Sequence, residues 1–279
     1  MLFAPANRRD LAPKLARSGA DAAILDLEDG VAPSGKDDAR LAVSESLPTM
    51  AESNPDLPVF VRVNAASSQW FAEDLAVALD SGASGIVIPK IESPESVERV
   101  QGAIDERGLT GVDVLAGVES AAGVHHVEAI FAAGPSVCYF GAEDYVADIG
   151  GIRTRAGQEV LYARSRVALA AHINDVTALD QVVLEFHDDE RFVEDAQFGR
   201  AIGYQGKICI HPSQVPLANR CFTPTDDQIE RSRRLLDQHA AAAVQGLGVI
   251  EFDGQMVDEP LVRQARRVVA IADAIGASR

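Results

Sequence analysis

Eight short apolar runs alternate with longer, Ala-rich stretches through the first 222 residues. The runs are LFAP (2–5), AAILDLE (22–28), VFVRV (59–63), GIVIPK (85–90), DVLAGVE (113–119), SVCYFGA (136–142), ALDQVV (178–183) and GKICIHP (206–212). They are short, β-branched and nearly continuous in hydrophobicity, as strands covered on both faces must be. Between them, WFAEDLAVALDSGA (70–83) and SPESVERVQGAIDERG (93–108) carry helical apolar spacing. The second starts well, with Ser93 placed to cap and Pro94 at the first helical position. Strand and helix alternating eight times predict an α/β protein, a (β/α)8 TIM barrel over residues 1–222. The seventh run is the least separated from its neighbours. Residues 223–279 then change character. They predict one long amphipathic helix (223–245), a short hairpin about an Asp-Gly turn (248–260) and a last helix (261–276). A barrel closes without this extension, so its expected place is over the barrel or on a neighbouring subunit.

Charge and cysteine usage narrow the partners. Lys+Arg 25 against Asp+Glu 42 gives a net charge of −17. That argues against nucleic acid and anionic membranes, while leaving room for a small anion met by local positive charge. Cys138, Cys209 and Cys221 are odd in number and lack CxxC spacing. Neither a disulfide framework nor a zinc site is expected. The opening MLFAPANRRD is too short and too quickly charged for a signal peptide, and no 18-residue apolar run exists. The expectation is a soluble, cytoplasmic protein.

Strand interiors exclude Asp and Glu, yet AAILDLEDGV places Asp26, Glu28 and Asp29 where a run is ending. The other runs end alike: Asn7 and Arg8 after the first, Arg62 and Asn64 on the third, Pro89 and Lys90 on the fourth. Glu119 ends the fifth, Glu143 and Asp144 follow the sixth, and His211 and Ser213 follow the eighth. Barrel enzymes keep their chemistry at strand C-termini, so these residues define one polar pocket. Glu119 and Asp144 end adjacent strands. Hard oxygen ligands without a His or Cys cluster favour Mg2+ or Mn2+ over zinc, and two of them leave room for waters and a chelating substrate. The alternative is a helix cap or an ion pair. Arg62, in an apolar strand, needs an anionic partner. It either clamps a substrate carboxylate or enolate oxygen with two prongs, or pairs with Glu28 or Asp26. Glu28 has the mirrored structural reading, and Asp26 reads as structural. His211 is either a general base or a buried loop residue. Ser213 reads as a cap, not a nucleophile. Asp258, in GQMVDEP, reads by itself as a helix cap. No GxGxxG follows the first strand, and DIGGIRT (148–154) reads as a plain loop.

Taken together, FAPANR (3–8), ILDLEDGV (24–31), VRVN (61–64), GIVIPKIES (85–93), GVES (117–120), FGAEDYVADIGG (140–151), CIHPSQV (209–215) and FDGQMVDEP (252–260) resemble one family. It is the citrate lyase β-subunit-like branch of the HpcH/HpaI aldolase superfamily, similar to malyl-CoA and citramalyl-CoA lyases. The resemblance implies a Mg2+-binding TIM barrel, usually a homotrimer, that makes or breaks a carbon–carbon bond between acetyl-CoA, or a carrier-bound acetyl group, and a 2-oxoacid. It implies Glu119 and Asp144 as metal ligands, Arg62 as the catalytic Arg with Glu28 as its partner, and Asp258 reaching a neighbouring subunit's site. Arg8, Arg9, Lys14, Lys36 and Arg40 are the cations offered to CoA phosphates. Asn64, Pro89, Lys90 and His211 complete the expected substrate contacts. Two departures stand out: ESAAG, with Ser120 and Ala122, lacks the basic residue the family often carries there, and ALDQVVLEFHDDE matches loosely. The alternatives on this scaffold are a carrier-dependent citrate lyase β subunit, a CoA-independent pyruvate aldolase and a malyl-CoA thioesterase.

Overall fold

Eight parallel strands pair in strict sequence order in the computed structural model, which describes residues 1–277. The strands are β1 (Leu2–Pro5), β2 (Ala23–Asp26), β3 (Val59–Arg62), β4 (Gly85–Ile88), β5 (Asp113–Val118), β6 (Val137–Phe140), β7 (Thr177–Asp180) and β8 (Gly206–Lys207). All but β1 are shorter than their apolar runs, β8 most of all. β8 pairs with β7 only over Gly206 and Lys207. Two residues later the chain turns to β1: Phe3 N–H donates to Cys209 O at 2.9 Å, and Cys209 N–H donates to Met1 O at 2.8 Å. This bridge closes the ring.

The helices are α1 (Ala12–Leu15), α2 (Lys36–Ser53), α3 (Phe71–Asp80), α4 (Pro94–Glu106), α5 (Ala121–Ala132), α6 (Ala142–Asp148), α7 (Leu161–Ile173), α8 (Asp189–Ala201) and α9 (Gln214–Phe222). Ser93 occupies the N-cap position of α4 and Pro94 its first turn. Ser120 caps α5 by accepting from Gly123 N–H. No helix among the described residues is long and apolar enough to cross a membrane.

Strand side chains alternate between two faces. Here Ile24, Phe60, Val87, Leu115, Tyr139, Leu179 and Ile208 form a single buried cluster inside the ring. Two residues further along each strand, the inward face meets the barrel mouth. That parity delivers Asp26 after Ile24, Arg62 after Phe60, and Gly117 then Glu119 after Leu115. Asp180, one residue beyond Leu179, points the other way, into the helix layer. There it meets Arg164 of α7 at 2.5 Å and Lys207 of β8 at 3.0 Å, while Lys207 also meets Asp195 of α8 at 2.6 Å.

Contacts divide the chain into two units, Met1–Asn219 and Arg220–Arg279. The second holds α10 (Asp226–Val244), β9 (Ile250–Phe252), β10 (Gln255–Val257) and α11 (Glu259–Ala277). Thr225 and Gln228 form a capping box on α10. β9 and β10 pair antiparallel around Asp253 and Gly254, both at positive φ, as a two-residue hairpin turn of this hand requires. Leu235, Phe252, Val257 and Val262 supply this unit's own core.

Candidate functional site

A cavity of about 460 Å3 sits at the C-terminal ends of the barrel strands, lined by Asp26, Arg62, Glu119 and Asp144 among others. Register sets its first feature. Asp26 and Arg62 are direct neighbours across β2 and β3. The guanidinium donates from Nε to Asp26 Oδ1 at 2.7 Å and from Nη2 to Asp26 Oδ2 at 2.8 Å. The same carboxylate accepts from the backbone N–H of Glu28 and Gly30. Asp26 is thus the structural clamp, and Glu28 stands beside it with Oε2 3.2 Å from Arg62 Nη1. Burial by itself would lower the Arg62 pKa. The hydrogen bonds it donates to Asp26 and the nearby negative charges win, leaving the guanidinium more firmly charged than usual.

Lys90 reaches in from the end of β4. Its ammonium lies 2.8 Å from Glu28 Oε1, 2.8 Å from Asp29 Oδ2 and 3.7 Å from Asp144 Oδ1. Its backbone has φ 48, the left-handed region that non-glycine residues seldom occupy. Such strain is retained where the surroundings over-determine it, and here three carboxylates do.

Glu119 is the deepest acid of the cavity, 2% exposed. Tyr139 OH donates to its Oε1, while its Oε2 is buried with no hydrogen-bond partner. Burial pushes its pKa up to about 7; Arg62 and the Tyr139 hydrogen bond oppose this, and Glu28 and Asp144 add to it. Burial likewise raises Glu28 against the pull of Arg62 and Lys90. An acceptor-only oxygen aimed at a cavity with nothing to accept from fits a cation. Asp144, at the start of α6, is the second carboxylate on that wall. No group of three His, Cys, Asp or Glu ligands gathers among the described residues. A hard divalent ion held by this pair would therefore draw its other ligands from water and a bound oxyacid.

Two glycines make the arrangement possible. A Cβ on Gly117 would lie 2.6 Å from Tyr139 Oη, and one on Gly141 would lie 2.5 Å from Glu119 Cγ. Gly141→Ala is therefore expected to destabilise the barrel by about 1–3 kcal/mol through overpacking, measurable by chemical denaturation. An unchanged midpoint would show that Glu119 yields at no cost.

Other expected contacts fall elsewhere. Lys36 is buried, donating to Leu27 O at 2.6 Å, Glu28 O at 2.8 Å and Asn64 Oδ1 at 2.8 Å. Arg40 is buried against Asp74, Asp37 and Glu73. Asn64 is buried too, donating to Leu27 O and Asp74. The phosphate role for Lys36 and Arg40 and the substrate role for Asn64 are thus corrected: these side chains lock α2 and α3 to the ends of β2 and β3. Arg8 and Lys14 are exposed and share Asp10, and Arg9 pairs with Asp38 and Glu45. Pro89 is buried behind Lys90's position and does not line the cavity. His211 is neither buried nor in the cavity. It stacks on Phe186, with ring centroids 5.0 Å apart, and its Nδ1 lies 2.7 Å from Ser213 Oγ. Asp258 precedes α11 in the second unit. Its backbone carbonyl accepts from Leu261 and Val262 N–H, and its carboxylate makes no hydrogen bond or ion pair among the described residues. It is not a side-chain cap. The residue that sequence reasoning missed is Tyr139. The signal was available, since Tyr139 lies two residues before Gly141 on the inward parity of SVCYFGA.

The HpcH/HpaI aldolase/citrate lyase family matches residues 1–212. A citrate lyase subunit beta-like protein of Deinococcus radiodurans is 48% identical over 274 residues, covering 97% of this chain and 95% of that one. The mitochondrial citramalyl-CoA lyase of Homo sapiens is 30% identical over 295 residues, covering 99% of this chain and 85% of that one. The crystal structure of CitE from Mycobacterium tuberculosis, in complex with magnesium, acetoacetate and coenzyme A, superposes with a TM-score of 0.83 at 33% identity, covering 98% of this chain and 97% of that one. The chain belongs to the HpcH/HpaI aldolase/citrate lyase family.

Proposed function

We propose that the protein is a Mg2+-dependent carbon–carbon lyase. It cleaves, or in reverse forms, a 3-hydroxyacyl-CoA bearing a carboxylate at C3, such as malyl-CoA or citramalyl-CoA, giving acetyl-CoA and a 2-oxoacid. The observation that carries the reading is the unpartnered buried oxygen of Glu119, beside Asp144 and facing the same cavity as Arg62. Glu119 and Asp144 would hold the ion, with Mn2+ a chemically equivalent occupant. When bound, the ion supplies Lewis acidity and a chelation site for the substrate's carboxylate and hydroxyl.

This chain's residues account for the other half of the chemistry. As a base takes the hydroxyl proton and the C2–C3 electron pair moves toward the thioester, negative charge builds on the thioester oxygen. Arg62 has five N–H donors, of which two are hydrogen-bonded to Asp26, while Nη1 lies 3.2 Å from Glu28 Oε2 as an ion pair. Donors therefore remain for that oxygen, on a side chain whose direction is already fixed. Preorganised charge of this kind is commonly the largest catalytic contribution. Asp26 fixes the fork, and Lys90 anchors Glu28 and Asp29 at the rim. We assign Asp258 to a neighbouring copy's site in a homotrimer, where its carboxyl group would protonate the enolate carbon, or take the proton from acetyl-CoA in reverse. Its uncommitted carboxylate supports this role. Arg8 and Lys14 remain the exposed candidates for CoA phosphates.

A Mg2+-dependent cleavage assay on the purified chain tests the reading. Malyl-CoA, citramalyl-CoA and citryl-CoA are offered, and acetyl-CoA, free CoA and 2-oxoacid are followed together. The expected result is equal acetyl-CoA and 2-oxoacid, abolished by chelator and by Asp144→Ala. Free CoA without 2-oxoacid would mean a thioesterase. No turnover would point to the carrier-dependent subunit or the CoA-independent aldolase.

A further inference from the structure

Glu143 and Asp144 are consecutive carboxylates in the first turn of α6, and both line the main cavity. Their surroundings separate them. Glu143 also lines an adjoining cavity of about 180 Å3, together with Arg153, Thr154 and Arg155 of the loop between α6 and α7. From that side Arg153 Nε donates to Glu143 Oε1 at 2.8 Å. Asp144 has Lys90, at 3.7 Å, as its one ion-pair partner among the described residues.

Arg153 is itself held. Its Nη1 donates to Glu159 Oε1 at 2.5 Å, and Glu159 also accepts from Thr154 N–H at 3.1 Å and from Thr154 Oγ1 at 2.6 Å. The turn 154–159 thus closes on one carboxylate, and Arg153 joins that turn to Glu143. At the other end of α6, Asp148 Oδ2 accepts from the backbone N–H of Ala121 at 2.8 Å, two residues after Glu119. This short helix is thereby fastened at both ends, once beside Glu119 and once to Arg153. Glu119, Glu143 and Asp144 line one cavity, yet they do not gather into a three-ligand group among the described residues. Arg153 holds Glu143 toward the smaller chamber.

We propose that Arg153 is a positioning residue of the ion site: by engaging Glu143 from the adjoining cavity, it keeps that carboxylate from becoming a third ligand beside Glu119 and Asp144. The inference rests on the metal assignment above. Mg2+ offers few oxygen positions and holds them strictly. With two carboxylates the loaded site sums to zero charge and keeps positions for a chelating oxyacid. A third carboxylate would bind the ion more tightly, because ligand charge sets cation affinity. It would also fill a position the substrate needs and leave a net negative site, which repels an incoming carboxylate. Arg153 therefore weakens ion binding and favours substrate chelation.

Calorimetry on the full-length protein tests it without turnover. Mg2+ alone is titrated first, and then, into the Mg2+-loaded protein, whichever of glyoxylate, pyruvate and oxaloacetate the original protein binds best. Arg153→Gln should bind Mg2+ about tenfold more tightly. The same variant should bind the acid at least about tenfold more weakly. Adding Glu143→Gln to Arg153→Gln should return both values toward the original, because the competing carboxylate is gone. A residue serving the fold alone would lower both affinities together with the urea midpoint. If Arg153→Gln does not fold, Arg153→Lys takes its place: one ammonium cannot hold Glu143 and Glu159 as the fork does, so both shifts should appear at smaller size. Unchanged or weaker Mg2+ binding overturns the proposal, as does unchanged acid binding, or a pair of opposed shifts that survives Glu143→Gln. If the original protein binds no Mg2+, the metal assignment fails, and this proposal fails with it.

Discussion

Arg62→Lys is expected to lower kcat by about 10²–10³-fold, the range seen when one preorganised donor to a developing oxyanion is lost. The fold should survive. Lysine keeps a positive charge near Asp26 and Glu28, so the buried carboxylates are not abandoned. It lacks the planar fork, however. Arg62 holds Asp26 through Nε and Nη2 at 2.7 and 2.8 Å, and that two-point grip aims the remaining donors at the cavity. An ammonium is a point charge that would settle onto Asp26 and leave the substrate oxygen without an aligned partner. Steady-state kinetics on the thioester that the cleavage assay identifies, beside chemical denaturation of the same preparation, separate the two roles. A large fall in kcat with KM and unfolding midpoint little changed supports the catalytic assignment. A kcat within a few-fold of the original would reduce Arg62 to a partner of Asp26.

The barrel was legible because its signal repeats. Eight runs with intervening helices leave few architectures open, and the parity within the runs then orients Asp26, Arg62 and Glu119 inward. The hairpin of the extension was legible from Asp253-Gly254 alone, because few two-residue sequences accept positive φ twice. The parts that failed share one cause. Asn64 follows a strand end just as the cavity residues do, while Lys36 and Arg40 were offered only as available cations, and sequence parity cannot say which way a loop or a helix's first turns will roll. Their fate was decided by Asp74, a fully buried residue of α3 that accepts from Arg40 at 3.0 Å and from the Asn64 backbone at 3.0 Å. Nothing near position 74 announces that role. His211 was misplaced for a related reason: the chain beyond β8 turns to close on β1, and this carries His211 out to stack on Phe186. Tyr139 was hidden by its company, since an aromatic residue in an apolar strand looks like core until the acid it serves is placed beside it.

Lys207→Met is expected to cost about 3–5 kcal/mol of folding stability, the usual penalty for removing one partner of a buried ion pair. Lys207 is 1% exposed. It donates to Asp180 at 3.0 Å, to Gln181 O at 2.7 Å and to Asp195 at 2.6 Å. Methionine fills similar volume but supplies no charge. Asp180 keeps Arg164 at 2.5 Å, whereas Asp195 keeps the longer contacts from Arg164 at 3.1 Å and Arg191 at 4.0 Å, with Gln181 at 3.0 Å. The penalty should depend on pH, with a sign that identifies its source. Burial alone would raise the Asp195 pKa, but Lys207 and then Arg164 outweigh it and hold the carboxyl below its usual value. In the original protein Asp195 therefore binds fewer protons folded than unfolded, and its contribution is present above about pH 4 and lost on acidification. In the variant, the largest opposing charge is gone and burial is met only by Arg164, the Gln181 hydrogen bond and the more distant Arg191, so the folded pKa should rise above the unfolded one. Asp195 would then bind more protons in the folded state, and stability would fall as pH increases through that interval. Urea denaturation at pH 4.5 and pH 8 should show a smaller gap between variant and original at the lower value. An equal gap at both would place the loss in packing and not in the stranded carboxylate. A gap below about 1 kcal/mol, the range of exposed pairs, would show that water reaches the cluster and that the clamp between β7, β8, α7 and α8 is not electrostatic.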